Sequence, residues 1–163
     1  MIRVFLLDDH EVVRGGVSAA LDAQSDMTIV GEAGSAADAL EAVRDCRPDV
    51  AVLDVRLGDG SGIDVCREIR SEFENVQCLI LTSFESDRAL VDAGLAGAAG
   101  FVLKQIRSND LIEAIRQVHE GRQLLDDAAV RIAMRRLRNS EEGRLDELTP
   151  QELRIFDYIG EGL

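Results

Sequence analysis

Short apolar runs alternate with stretches of helical period along most of this chain, and that alternation constrains the fold more than any other feature. Residues 4–7, 28–30, 50–53, 78–81 and 101–103 read as strands. Between them, residues 12–23 carry Val13, Val17, Ala20 and Leu21 at helical spacing, and Ser35 caps a helix whose apolar face is Ala36, Ala39, Leu40 and Val43. Ile63, Cys66, Ile69 and Phe73 mark a third helix. Residues 86–96 form a weak fourth, because Gly94 and Gly97 each cost about 1 kcal/mol relative to Ala within a helix. Ser108-Asn109-Asp110 starts a fifth, with Leu111, Ile112, Ile115 and Val118 as its stripe and Gly121 as its stop. Five strands alternating with five helices predict an α/β fold with a doubly wound, five-stranded parallel sheet. Residues 50–53, the most continuously apolar run, belong at its centre.

Four of these runs end in polar residues of different kinds: Leu7 is followed by Asp8-Asp9, Leu53 by Asp54, Leu81 by Thr82 and Leu103 by Lys104. In open α/β sheets, ligands bind at the carboxyl ends of the strands. One Asp after a strand is ordinarily a turn residue or helix cap. The joint occurrence on four strand ends points instead to a site. Three carboxylates brought together raise one another's pKa unless a cation joins them, and an all-oxygen ligand set favours Mg²⁺ over zinc. Lys104 offers a point charge to an anionic ligand and Thr82 a hydroxyl. The set suits phosphoryl transfer onto a carboxylate, where the work is positioning and charge neutralisation.

Other features carry less. His10 and His119 have no partner in the sequence and read as surface residues. Gly58-Asp59-Gly60-Ser61-Gly62 lacks the Lys-Ser/Thr of a Walker loop and the dinucleotide spacing, and reads as a flexible turn beside Asp54. Cys46, Cys66 and Cys78 are odd in number and widely spaced, which suggests small core residues rather than disulfides or a zinc site. A net charge of -13 disfavours DNA binding by this chain alone. No apolar run has membrane-spanning length, and Met1-Ile2-Arg3 leads into a strand rather than a signal peptide, so a cytoplasmic location and no membrane partner are expected.

Beyond residue 122 the pattern changes. Residues 126–138 form an amphipathic helix, basic at Arg131, Arg135, Arg136 and Arg138, whose apolar positions Val130, Ile132, Ala133, Met134 and Leu137 require a partner. Residues 139–147 are polar and read as linker. Thr149-Pro150-Gln151-Glu152 is a strong helix N-terminus, with Thr as cap, Pro first and Glu third. One helix cannot make a domain, so the expectation is a terminus cut inside a second module.

Asp8-Asp9, Asp54 within Leu-Asp-Val-Arg-Leu, Thr82-Ser83 and Phe101-Val-Leu-Lys104 together resemble the signature of two-component response-regulator receiver domains over about residues 1–122. Val4-Phe-Leu-Leu-Asp-Asp-His-Glu-Val-Val-Arg14, Gly31-Glu-Ala-Gly-Ser35 and Arg47-Pro-Asp-Val-Ala-Val-Leu-Asp54 are similar to the NarL/FixJ subfamily, closest to the dormancy-type (DevR-like) regulators of actinobacteria. The resemblance implies a flavodoxin-like receiver. In it Asp54 accepts a phosphoryl group from a sensor histidine kinase, and Asp9, Asp54 and the backbone carbonyl of Arg56 bind Mg²⁺, with Asp8 acting largely through water. Lys104 pairs with the phosphoryl group, Thr82 moves to hydrogen-bond it, and Phe101 turns inward in response.

Gln105 stands where many receivers have Pro after the Lys, and Gly58 replaces a Pro common four residues after the acceptor. Residues 148–163 resemble the first helix of a LuxR-type helix-turn-helix domain. The implied organisation is a receiver (1–122), a helical linker or dimerising segment (123–147), and the opening of a DNA-binding domain (148–163). DNA is then a partner only through the complete domain, and a homodimer is expected.

Two other functions fit parts of the pattern. An aspartate-nucleophile phosphatase of the haloacid-dehalogenase type also uses a strand-end Asp, Mg²⁺, Thr and Lys, but needs a second acid where Arg56 stands. A stand-alone receiver acting as a protein-binding module is the other. A phosphoacceptor signalling protein, with no catalysis beyond its own phosphorylation and dephosphorylation, is the expectation.

Overall fold

The computed structural model describes residues 1–83, 86–104, 108–125 and 127–145. The element order is β1 (Ile2–Leu7), α1 (Glu11–Asp22), β2 (Met27–Ala33), α2 (Ala36–Cys46), β3 (Val50–Asp54), β4 (Arg56–Leu57), β5 (Gly60–Ser61), α3 (Gly62–Glu72), β6 (Gln77–Thr82), α4 (Asp87–Leu95), β7 (Gly100–Leu103), α5 (Ser108–His119) and α6 (Asp127–Leu145). The main sheet is entirely parallel, in the order β2-β1-β3-β6-β7. As its apolar run requires, β3 is central and every residue in it is buried.

Side chains alternate across the sheet and divide the core in two. Phe5, Leu7, Ala51, Leu53, Cys78 and Ile80 pack with Ala39 and Val43 of α2, Cys66 and Ile69 of α3, and Ala89 and Ala93 of α4. Val4, Leu6, Val50, Val52, Leu79 and Leu81 face the other way, against Leu21 of α1 and Leu111, Ile112, Ile115 and Val118 of α5. Cys66 and Cys78 are fully buried within the first layer, as small core residues.

Several local expectations hold and several change. Ser35 caps α2 as expected, accepting from the backbone N–H of Asp38, and Ser61 and Ser86 do the same for α3 and α4, accepting from Ile63 and Ala89. Val13 leaves the expected core stripe and is 43% exposed, because only Leu21 of α1 is fully enclosed and Val17 lies at the margin. Of the segment read as a flexible turn, only Gly58-Asp59 form the tight turn between β4 and β5, which pair antiparallel through Arg56 with Ser61 and Leu57 with Gly60, and Gly62 already begins α3. Gly97 lies outside α4 at φ 88, supplying the left-handed residue that follows a helix, so it terminates α4 rather than weakening it.

The largest change concerns α6. It runs to Leu145, through most of the stretch read as linker, since Glu, Arg and Leu there favour helix and only Gly143 opposes it. Its apolar stripe has a partner in the same chain: Val130 packs beside Gly94 of α4, Ala133 is buried, and Arg136 Nη1 lies 3.5 Å from Asp87 Oδ1. Ile132 remains 47% exposed on the outer side. Gln105 and the helix-turn-helix resemblance at 148–163 fall outside the described residues. Among the described residues, no helix is long and apolar enough to cross a membrane.

Candidate functional site

The crossover from β1 through α1 to β2 runs one way along the sheet and that from β2 through α2 returns past β1 to β3 on its other side, so the strand order reverses beside β1. Such a switch opens a crevice at the strand ends. Asp8 follows β1 and Asp54 ends β3 in that crevice, and the Leu7–Leu53 pairing sets the two strand ends level. On the other side of β3, Val55 N donates to Leu81 O at 3.1 Å, which brings Thr82 alongside. Lys104 N donates to Thr82 O at 2.6 Å, carrying the lysine to the same edge.

Among the described residues, Asp8, Asp54 and Thr82 are the buried polar side chains, at 1%, 4% and 1% exposure. Asp8 is held firmly. Its Oδ1 accepts from His10 N at 2.9 Å, its carbonyl accepts from Arg14 Nη1 at 2.6 Å, and its N–H donates to Ala33 O at 3.2 Å. Lys104 Nζ donates to Asp54 Oδ2 at 3.0 Å and lies 3.2 Å from Asp8 Oδ2. The contact to Asp8 is an ion pair out of hydrogen-bond alignment, and Asp8 Oδ2 is enclosed without a hydrogen-bond donor.

Burial pushes the Asp54 carboxyl above the usual carboxylate range; the Lys104 ammonium pulls it back, while Asp8 and Asp9 push it further up. Burial works against the charge on Lys104, but Asp54 and then Asp8 outweigh it, and the ammonium is held above the ordinary lysine value.

Asp8, Asp9, His10 and Asp54 each present one ligand atom, all within 4.8 Å of one another. This donor set fits a hard dication: the carboxylates are crowded, one buried oxygen lacks a donor, and one ammonium cannot neutralise three carboxylates. Arg56 begins β4 with an exposed side chain, and Phe101 on β7 is half-buried at the margin of the core. All the residues singled out from strand ends therefore share one edge of the sheet. His10 was read as a partnerless surface residue. It is exposed, yet its Nδ1 lies 3.1 Å from Asp9 Oδ1 and 3.4 Å from Asp8 Oδ1. Its position directly after the two aspartates was the signal for this.

The response regulator receiver domain matches residues 4–116 of the chain. The chain belongs to the response-regulator family. It is 49% identical, over 100% of this chain and 76% of the relative, to the DNA-binding transcriptional activator DevR/DosR of Mycobacterium tuberculosis. It is 35% identical to the transcriptional regulatory protein LiaR of Bacillus subtilis, over 99% of this chain and 78% of that protein. Among solved structures, a LuxR-family two-component response regulator from Aurantimonas sp. superposes with a TM-score of 0.74 at 30% identity, covering 84% of this chain and 99% of that one. The receiver domain of NarL from Mycobacterium tuberculosis gives 0.71 at 34% identity, covering 74% and 98%. The receiver is therefore a phosphoryl-accepting signalling domain.

Proposed function

We propose that Asp54 is the residue that accepts the phosphoryl group, delivered by a sensor histidine kinase, and that the modified receiver controls DNA binding in a transcription regulator. The observation that carries this is the Lys104 ammonium 3.0 Å from Asp54 Oδ2 on a buried strand end. An Asp54 carboxylate oxygen attacks phosphorus, the bond from phosphorus to the donor imidazole nitrogen breaks, and an acyl phosphate forms. Lys104 holds the growing negative charge, and the Thr82 hydroxyl on the neighbouring strand turns to donate to a phosphoryl oxygen. Phe101, half-buried on β7, would turn inward as Thr82 moves.

Asp9, Asp54 and the Arg56 carbonyl would hold Mg²⁺ directly, with Asp8 largely through water; the ion supplies charge neutralisation between carboxylate and phosphoryl oxygens. The exposed Arg56 where a phosphatase would place its second acid speaks against turnover of phosphate esters. Self-dephosphorylation is the one further reaction in this reading. For the homodimer, the outer face of α6, with exposed Ile132 between Arg131 and Arg135, is the surface left, since Val130 and Ala133 already pack on α4.

Incubation with Mg²⁺ and a small phosphodonor is expected to add one acid-labile, hydroxylamine-sensitive phosphoryl group to the wild type and none to Asp54→Asn. Equal labelling of both would overturn the assignment.

A further inference from the structure

The turn between β4 and β5 reaches across to the N-terminus of α2. Asp59 Oδ1 accepts from Ala36 N at 2.8 Å and Asp59 Oδ2 from Ala37 N at 3.0 Å, while Ser35 Oγ takes the next N–H, that of Asp38, at 3.3 Å. The first N–H groups of a helix have no intrahelical partner, and a carboxylate there gains from charge-assisted bonds and from the helix dipole. These two bonds hold the Asp59 carboxyl below the usual carboxylate range. A cap ordinarily comes from the residue just before the helix, and α2 already has one in Ser35. Asp59 comes from 23 residues beyond Ala36, so its bonds join two segments rather than finish one helix.

The segment held in this way lies directly after Asp54. β4 and β5 have two residues each, and a ladder so short is at best marginally stable alone. Its base is fixed by Val55 N, which donates to Leu81 O at 3.1 Å, and by Gly62 N, which donates to Val55 O at 2.9 Å. Its tip is fixed by Asp59. A Cβ on Gly58 would lie 4.0 Å from Asp9 Oδ2 and one on Gly60 3.4 Å from Ala36 Cβ, so the tip is seated between Asp9 and the start of α2. The helix itself starts beside the site, because Asp8 N donates to Ala33 O at the end of β2. We propose that Asp59 is a positioning residue for phosphoryl transfer to Asp54, clamping the β4–β5 hairpin on α2 and so holding the Arg56 carbonyl in a fixed place beside the acceptor. The proposal rests on the reading of Asp54 as the acceptor and of the Arg56 carbonyl as a Mg²⁺ ligand. Asp59 touches no reacting group and acts through the backbone it fixes. Its side chain is exposed, so its replacement leaves the core intact.

Labelling of the full chain by acetyl phosphate, followed against Mg²⁺ concentration, tests this on the wild type, Asp59→Ala, Asp59→Asn, Ser35→Ala and Asp54→Asn. Amide exchange at Ala36 and Ala37, without Mg²⁺ or phosphodonor, is a second readout. Asp59→Asn keeps an acceptor for one N–H and Asp59→Ala for neither, while Ser35→Ala removes a cap from the same helix end and leaves the hairpin alone. The Mg²⁺ concentration giving half the maximal rate is expected to rise about tenfold in Asp59→Ala and less in Asp59→Asn, with the rate at saturating Mg²⁺ near that of the wild type. Exchange at Ala36 and Ala37 is expected to quicken in both. Ser35→Ala is expected to lose thermal stability yet keep the wild-type Mg²⁺ dependence. If Asp59→Ala does not fold, Asp59→Asn carries the same comparison. An equal rise in Ser35→Ala assigns the effect to the helix end and overturns the proposal, as does an unchanged Mg²⁺ dependence in Asp59→Ala while Asp54→Asn stays unlabelled. If Asp54→Asn is labelled as the wild type is, the acceptor reading fails and this proposal fails with it.

Discussion

Lys104 Nζ bridges two strand ends that are not neighbours of its own strand, lying 3.0 Å from Asp54 Oδ2 and 3.2 Å from Asp8 Oδ2. Because its ammonium is held above the ordinary lysine value, its contribution to stability is fully present below that value, about 10.4, and is lost as pH rises through the higher folded value. Lys104→Gln is therefore expected to be less stable than the wild type at neutral pH in the absence of metal. The gap should close above about pH 10.4. Urea denaturation of both proteins between pH 7 and 11 checks this, and a gap that widens into the alkaline range would contradict it.

Asp54 behaves in the opposite sense. Burial raises its carboxyl, so its folded-state contribution is present below the unfolded value, about 3.9, and is lost as pH rises through the raised folded value. Asp54→Asn removes a titrating group and with it that loss. The metal-free variant is expected to match or exceed the wild type in denaturation midpoint at pH 7, and the two should converge toward acid. A variant that is much less stable than the wild type at pH 7 would mean that Asp54 carries more structural weight than its crowding allows.

The strand ends were legible because a buried parallel strand needs a continuous apolar run, and the first polar residue after it marks the sheet edge. Asp8, Asp54, Thr82 and Lys104 all follow that rule. Strand order was not legible, since β3 and β6 pair across a helix that leaves no register signal in the sequence. The partner of α6 was hidden for a related reason: Val130 and Ala133 announce an apolar face but not the surface that covers it. His10 is exposed as expected, but its contacts with Asp8 and Asp9 were not legible because they depend on the turn that folds it back over the two aspartates.

Gly62 controls the site from behind. A Cβ at this position would overlap the backbone carbonyl oxygen of Asp54, while Gly62 N donates to Val55 O at 2.9 Å and fixes the start of α3. The neighbour is backbone at the end of a central strand and cannot turn aside. Gly62→Ala is expected to destabilise the fold by about 3 kcal/mol, the upper range for overpacking a closed position. It should also reduce labelling of Asp54 by a small phosphodonor under conditions where the variant is folded, measured by circular dichroism and by acid-labile phosphate. Wild-type stability together with wild-type labelling would show that the strand end can shift without cost.

Gly94 performs a different task, inside a helix where glycine is otherwise unfavourable. A Cβ here would come within 2.9 Å of Val130 Cγ2 and 3.3 Å of Val130 Cγ1, and a β-branched side chain at a helix–helix contact has little freedom to move. Gly94→Ala therefore has two opposed effects: it strengthens α4 by about 1 kcal/mol through helix propensity, and it forces α6 away from the surface it covers. Trypsin should cut faster after Arg131 and Arg135 in Gly94→Ala than in the wild type, while the denaturation midpoint of the sheet stays level or rises. Adding Val130→Ala removes the branched methyl groups that meet the new Cβ, and the double variant should regain resistance to cleavage. Faster cleavage that Val130→Ala fails to reverse would place the origin of protection elsewhere than the Gly94–Val130 contact.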